Sequence, residues 1–148
     1  MNHITIGVPG AADKADWRRL YDGYAAFYKV PMSDEIANRV WSWINDPAHA
    51  VEALVARTPG GRVVGLAHFR GMPRPLNGSI AGFLDDLFVD PAFRSRVANE
   101  LIAAVAELGR KRGWGVIRWL TADDNYRARG VYDRHAKRAM WITYQMDL

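Results

Sequence analysis

Leu84-Asp-Asp-Leu-Phe-Val-Asp-Pro-Ala-Phe-Arg-Ser-Arg-Val-Ala-Asn-Glu-Leu-Ile102 passes from an apolar strand through a short basic loop directly into an amphipathic helix. A helix N-terminus presents unpaired backbone N–H groups and the positive end of the helix dipole. With Arg94 and Arg96 beside it, this junction suits a phosphate-bearing, polyanionic ligand. Val97, Leu101, Ala104, Val105 and Leu108 recur at helical spacing after the loop, and Gly113 stops the helix. Arg110, Lys111 and Arg112 stand where the negative end of its dipole favours cations.

Upstream, Ile4 and Ile6 alternate as a short strand, and Gly7-Val-Pro-Gly10 interrupts it. Trp17, Leu20, Tyr21, Tyr24, Phe27 and Tyr28 then form one aromatic stripe of a helix that Asp13 or Asp16 caps and Pro31 ends. Ser33 caps a second helix carrying Ile36, Val40, Trp43 and Ile44, stopped at Asn45-Asp-Pro47. Strands are expected over Ala50–Ala56 and Arg62–Arg70, joined by the turn Thr58-Pro-Gly-Gly61, followed by a Pro-containing loop over Gly71–Ser79 and the strand Ile80–Val89. Downstream, Val116–Thr121 reads as an apolar strand, about Asn125–His135 as a short helix, and Trp141–Leu148 as a last alternating strand. No repeat, linker or low-complexity stretch interrupts the order, so residues 1–148 read as one domain.

A second motif, Asn125-Tyr-Arg-Ala-Arg-Gly-Val-Tyr132, lies about thirty residues after the basic loop. Together the two segments resemble the GCN5-related N-acetyltransferase (GNAT) superfamily, which carries an Arg-x-x-Gly-x-Gly/Ala loop opening a helix and, later, Asn-x-x-Ala-x-x-x-Tyr. The resemblance covers the chain from about Val63 onward and, more loosely, the two N-terminal helices. It implies an α/β (α+β) GNAT fold: a central mixed twisted sheet of about six to seven strands flanked by about four helices. One departure is local. Where the family places a glycine, this chain has no residue between Arg96 and Val97.

The family's chemistry is attack of a substrate amine on the thioester of acetyl-CoA, so the resemblance implies roles for individual residues. Leu87, Phe88 and Val89 would pair with the pantetheine arm, and their fixed amides would polarise the thioester carbonyl. Arg94, Ser95, Arg96, Val97 and Ala98 would hold the pyrophosphate, and Asn125 would contact the cofactor. Tyr132 matches the tyrosine that protonates the leaving thiolate; a phenol is protonated at neutral pH and so serves as an acid. An alkylamine must lose a proton before it attacks. The acidic pair before the strand end, similar to that of polyamine-type acetyltransferases, favours Asp85 as base and Asp86 as a substrate or structural contact. Successive strand residues point to opposite faces, so both carboxylates reach one face only if a bulge intervenes. Tyr24 and Tyr28 would line an amine pocket if the aromatic stripe is not wholly core, and His68 is a second base candidate or a structural histidine.

Composition sets outer bounds. The chain has 20 Lys+Arg against 16 Asp+Glu, a net charge of +4 and an isoelectric point near 9.6, which favours anionic ligands. No helix-turn-helix, RRM or zinc pattern turns that charge into a nucleic-acid reading. The absence of cysteine excludes a disulfide framework and a thiolate nucleophile, and the four histidines show no metal-ligand spacing, so no metal is expected. No apolar run approaches the ~20 residues of a membrane span, and the N-terminus lacks a signal-peptide build; a cytoplasmic setting follows as the expectation. The expected function is transfer of an acetyl group from acetyl-CoA to a primary amine of a small, polyamine-like molecule or a peptide. The alternative is a GNAT-fold binding or regulatory protein whose altered loop has impaired catalysis. Where the family has a Gly-Phe pair opening a sixth strand, this chain has Ala136-Lys-Arg-Ala139 and a single strand; the sheet edge left there implies a homodimer.

Overall fold

A computed structural model describes residues 3–148. Five strands form one sheet in the spatial order β1-β2-β3-β4-β5: β1 (Thr5–Gly7), β2 (Glu52–Arg57), β3 (Val63–Arg74), β4 (Ser79–Val89) and β5 (Ile117–Trp119). The first four are antiparallel neighbours, and β5 joins β4 in parallel. The helices are α1 (Lys14–Phe27), α2 (Asp34–Ile44), α3 (Arg96–Arg112) and α4 (Tyr126–Tyr132). Ser33 caps α2 through the amide of Ile36. Gly113 closes α3 at φ 79°, a left-handed conformation that costs glycine little.

The central strand β3 is buried on both sides, which explains its continuous apolar run from Val63 to Phe69. On one face Trp17, Leu20, Val40, Val55 and Leu66 make a core with α1 and α2. On the other, Val64, Phe69, Leu84, Val97, Leu101 and Val105 make a core with α3. A Cβ on Gly65 would stand 2.9 Å from Val97, so the glycine lets α3 settle directly on β3.

Three sequence expectations change. The loop foreseen over 71–79 shrinks to one turn, Pro75–Asn77, because β3 and β4 continue as a long hairpin to Arg74 and Ser79. Pro73 is tolerated since β3 has lost β2 as a neighbour beyond Phe69, leaving one side of the strand without a ladder. The last helix ends at Tyr132 rather than near His135. The alternating segment Trp141–Leu148 forms no strand, so the sheet has five strands instead of six to seven. Its apolar pattern is present, but no described strand lies beside it, and a strand exists only through its pairing.

Candidate active site

The site begins where β4 and β5 part. Their parallel pairing covers only Gly82–Leu84 against Ile117–Trp119, and β4 runs on to Val89 with β3 as its sole neighbour. The amide of Asp90 bonds to the Val64 carbonyl at 2.8 Å. Strand alternation therefore turns the amides of Leu87 and Val89 away from β3, toward the open edge. A backbone edge that must stay unpaired is a place for an extended ligand to add itself.

That edge borders a cavity of about 280 Å³ enclosed by β4, the α3 start, α1 and α4. Of the sequence-derived residues, Leu87, Phe88, Val89, Arg94, Ser95, Ala98, Asn125, Tyr24, Tyr28 and Tyr132 line it. Arg96 and Val97 do not. The Arg96 side chain turns along the helix to Glu100, at 2.9 Å, and the Val97 side chain is core, so only their backbones face the loop. Phe27, Arg127, Ala128 and Val131 line the cavity too. Each had a signal in the sequence: Phe27 belongs to the aromatic stripe, and Arg127, Ala128 and Val131 fall within the Asn125–Tyr132 motif. Gly23 allows α1 to approach, since a Cβ there would lie 2.9 Å from the Phe88 ring.

Tyr132 packs edge-on against Trp119, with ring centroids 5.5 Å apart. Burial, and then the neighbouring Tyr28, push its hydroxyl up to about 12. It therefore holds its proton throughout the neutral range. Asn125 opens α4: its Oδ1 accepts from the Ala128 amide at 3.4 Å and its Nδ2 donates to Thr121 Oγ1 at 3.3 Å. These bonds fix the asparagine at the cavity wall.

The acidic pair sits on a β-bulge. His68 faces Asp86 and Phe69 faces Leu84, which leaves Asp85 as the extra residue of β4. The bulge puts both carboxylates against the α1-facing side of β3, where His68 and Arg70 point together. Asp86 Oδ2 accepts from His68 Nδ1 at 2.8 Å and from the Tyr21 hydroxyl at 3.2 Å. Asp85 receives both of its bonds from Arg70 Nε, at 3.1 and 3.2 Å. Burial raises the Asp85 carboxyl above its ordinary value against the pull of Arg70. Burial acts on Asp86 as well, but the His68 bond and the two tyrosines outweigh it and hold that carboxyl below the usual range. Two adjacent carboxylates are thus driven apart, a pattern that separates proton acceptor from permanent anion. Neither lines the cavity itself; Tyr24, whose hydroxyl lies 3.5 Å from the Asp85 carbonyl, stands between.

His68 is structural in its geometry. The Trp17 indole N–H, which can only donate, bonds to His68 Nε2 at 2.9 Å. Nδ1 must then carry the proton given to Asp86. With both ring nitrogens engaged and the residue 1% exposed, His68 has no free lone pair to offer an amine.

The basic loop holds a tight turn. Ser95 has φ 64° and ψ −68°, and the Arg96 amide donates back to the Arg94 carbonyl at 2.8 Å, a γ-turn of the rare, strained hand. The helix does not unwind. It starts at Arg96, and the first-turn amides of Val97 and Ala98 have no acceptor within the helix. Among the described residues, no group of three or more His, Asp or Glu is arranged to hold a metal ion, and no helix is long and apolar enough to cross a membrane.

The sequence model of the Acetyltransferase (GNAT) family matches residues 17–136. The D-amino-acid N-acetyltransferase HPA3 of Saccharomyces cerevisiae is 26% identical over 148 residues, covering 99% of this chain and 92% of its own. The crystal structure of a ribosomal-protein-alanine N-acetyltransferase from Brucella melitensis biovar Abortus 2308 superposes with a TM-score of 0.83 at 26% identity, covering 99% of this chain and 100% of that one. The aminoglycoside N-acetyltransferase AAC(6')-Iy in complex with CoA shares the fold with a TM-score of 0.85 at 23% identity, over 99% of this chain and 96% of its own.

Proposed function

The chain belongs to the GNAT acetyltransferase family, and we propose that it transfers the acetyl group of acetyl-CoA to the primary amine of a small cationic molecule or a peptide. The observation that carries this reading is the single cavity in which the unpaired β4 edge, Arg94, the α3 N-terminus, Asn125 and Tyr132 converge. The residues suit the cosubstrate: a free strand edge for an amide-bearing arm, and cationic side chains with helix amides for a pyrophosphate.

Acetyl-CoA supplies an acyl group activated as a thioester. The chain supplies five things. Asp86 stays ionised and attracts the cationic amine. Asp85, whose raised pKa makes it the better proton acceptor, takes the amine's proton by way of water. The Leu87 and Val89 amides meet the negative charge growing on the carbonyl oxygen. Tyr132 gives its proton to the departing sulfur. Tyr24 and Tyr28 provide aromatic faces on which a cation or its carbon chain rests. The names of the relatives, D-amino-acid and ribosomal-protein-alanine N-acetyltransferase, keep amino acids and peptides among the acceptors. The protein is expected to act in the cytoplasm as a homodimer.

Thiol release from acetyl-CoA across a panel of polyamines, amino acids of both hands and short peptides tests this reading. Release with at least one acceptor supports it. The γ-turn at Ser95 favours a second reading, a family member that binds CoA weakly and serves as a binding or regulatory protein. Calorimetric CoA binding without turnover on any amine would favour that reading over the enzyme.

A further inference from the structure

Beside the two carboxylates stands a guanidinium whose bonding is incomplete. Arg70 gives Asp85 only its Nε–H, shared between the two carboxylate oxygens at 3.1 and 3.2 Å. Arg57 and Arg112, by contrast, turn their terminal nitrogens on Asp13 and Glu52. Among the described residues, Nη1 and Nη2 of Arg70 donate to no protein group. The Phe83 ring lies against the guanidinium, 4.8 Å from Cζ, and holds its plane. A guanidinium fixed at Nε and on one face presents its outer edge, two parallel N–H donors, and that fork matches a carboxylate bidentately. With its side chain 36% exposed, Arg70 is open to a ligand.

Its neighbours ask for the opposite charge. The Asp85 and Asp86 side chains are 28% and 19% exposed, and each carboxylate has lone pairs beyond those its protein partners use. One small area of the α1-facing side of β3 and β4 thus offers acceptors for an ammonium and a two-donor fork for a carboxylate. A polyamine leaves the fork unanswered and sets its own positive charges against Arg70. A peptide carries an amide beside its α-amine where the fork requires a carboxylate. A single α-amino acid carries both groups on one carbon.

We infer that the acceptor is a free α-amino acid, its carboxylate held by the outer edge of Arg70 and its ammonium by Asp85 and Asp86. This rests on the acetyl-transfer reading above and narrows its acceptor. The order of residues sets the direction of binding. Asp86 directly precedes Leu87, whose amide faces the open edge, whereas Arg70 pairs with Phe83, four residues before Leu87. The ammonium end therefore lies nearer the edge and the carboxylate end farther from it. Arg70 selects the substrate through a group that takes no part in the reaction.

A panel of amino acids of both hands, each beside its own carboxamide, together with spermidine, makes the test. The carboxamide keeps the size and the amine and removes only the negative charge. Thiol release from acetyl-CoA should give the best amino acid a kcat/KM roughly 10- to 100-fold above its carboxamide and above spermidine, the range of a charge-assisted pair. Arg70→Gln should erase that ratio, mainly through KM, and Arg70→Lys should restore part of it, since an ammonium keeps the charge without the fork. Arg70 also contacts Asp85, so the ratio between acceptors is the reading: a change at the base alters both acceptors alike. A parent enzyme that prefers carboxamides or spermidine, or a ratio that survives Arg70→Gln, overturns the inference while sparing acetyl transfer. Calorimetric titration of the CoA-loaded protein with the same pairs separates the two failures. Amino acids that bind more tightly than their carboxamides, with no turnover of any amine, would overturn acetyl transfer while sparing the carboxylate site. Should Arg70→Gln misfold, the parent ratio and Arg70→Lys decide.

Discussion

The two cavities that flank α3 have nearly the same volume, about 280 Å³ at its N-terminal end and about 270 Å³ along its side by β5. Their linings differ in kind. The first gathers Arg94, Asn125, Arg127 and Tyr132 around an unpaired strand edge and an aromatic wall of Tyr24, Phe27, Tyr28 and Phe88, whereas the second sets Arg110 and His135 against aliphatic side chains and two tryptophans. Cavity size therefore says little about chemistry. Polar groups that converge on an open strand edge single out the first as the candidate reaction site.

The comparison is broken most severely by removing the proposed acid from the first cavity. Tyr132→Phe should lower acetyl-CoA turnover by roughly 10²–10⁴-fold with little change in CoA affinity. Unchanged turnover, measured where the chemical step limits the rate, would take Tyr132 out of the mechanism.

Next come the carboxylates, which separate proton transfer from attraction. Asp85→Asn should lower kcat by about 10²-fold. In the parent enzyme, activity is present above the raised Asp85 pKa and is lost as pH falls through it, so the acid limb should lie above the ordinary aspartate range and vanish in the variant. Asp86→Asn should act on KM instead; loss of kcat in that variant alone would reverse the two assignments. The folded-state pKa of Asp86 is lowered, so its contribution to stability is present above the unfolded value of about 3.9 and disappears as pH falls through the folded one. Denaturant titration of Asp86→Ala against the parent should show a loss of about 1–3 kcal/mol at neutral pH, from the buried His68 N–H left without an acceptor.

A third test addresses the shortened loop. Glycine inserted between Arg96 and Val97 should tighten CoA binding by roughly 10- to 100-fold, since one recovered charge-assisted bond contributes about 1.5–3 kcal/mol. Calorimetry on both forms measures this, and equal affinities would mean that the γ-turn already presents the amides as well as a longer loop does. The residual binding of the parent should fall steeply with salt, because Arg94 carries it through charge.

The smallest effect belongs to Ser95 itself. Ser95→Gly removes the Cβ from a positive-φ turn while adding freedom to the unfolded chain, so the net gain in stability should be only about 0.5–1 kcal/mol. A loss instead would show that the serine side chain holds the turn.

Much of the first cavity was legible because its parts are local. A strand entering a basic loop and a helix, and Asn125 three and seven residues before Ala128 and Tyr132, are short-range patterns that one element carries by itself. The Asp85 and Asp86 faces were not legible: they depend on a bulge, which exists only in the pairing of β4 with β3. Nor was the tautomer of His68, which rests on Trp17, 51 residues away. Arg96 was an attractive phosphate ligand on charge alone, yet its side chain is drawn along the helix by Glu100.

From the sequence alone came the family, the helices and most of the strands, and the polar residues that line the reaction cavity, because hydrophobic period, capping and motif spacing are written along the chain. Tertiary structure decided the orientation of the two carboxylates, the strained turn at Ser95, and the fate of the last strand. The physical reason is common to all three. A strand pairs, a bulge forms and a loop closes only against a partner distant in sequence, and no local pattern encodes where that partner will stand.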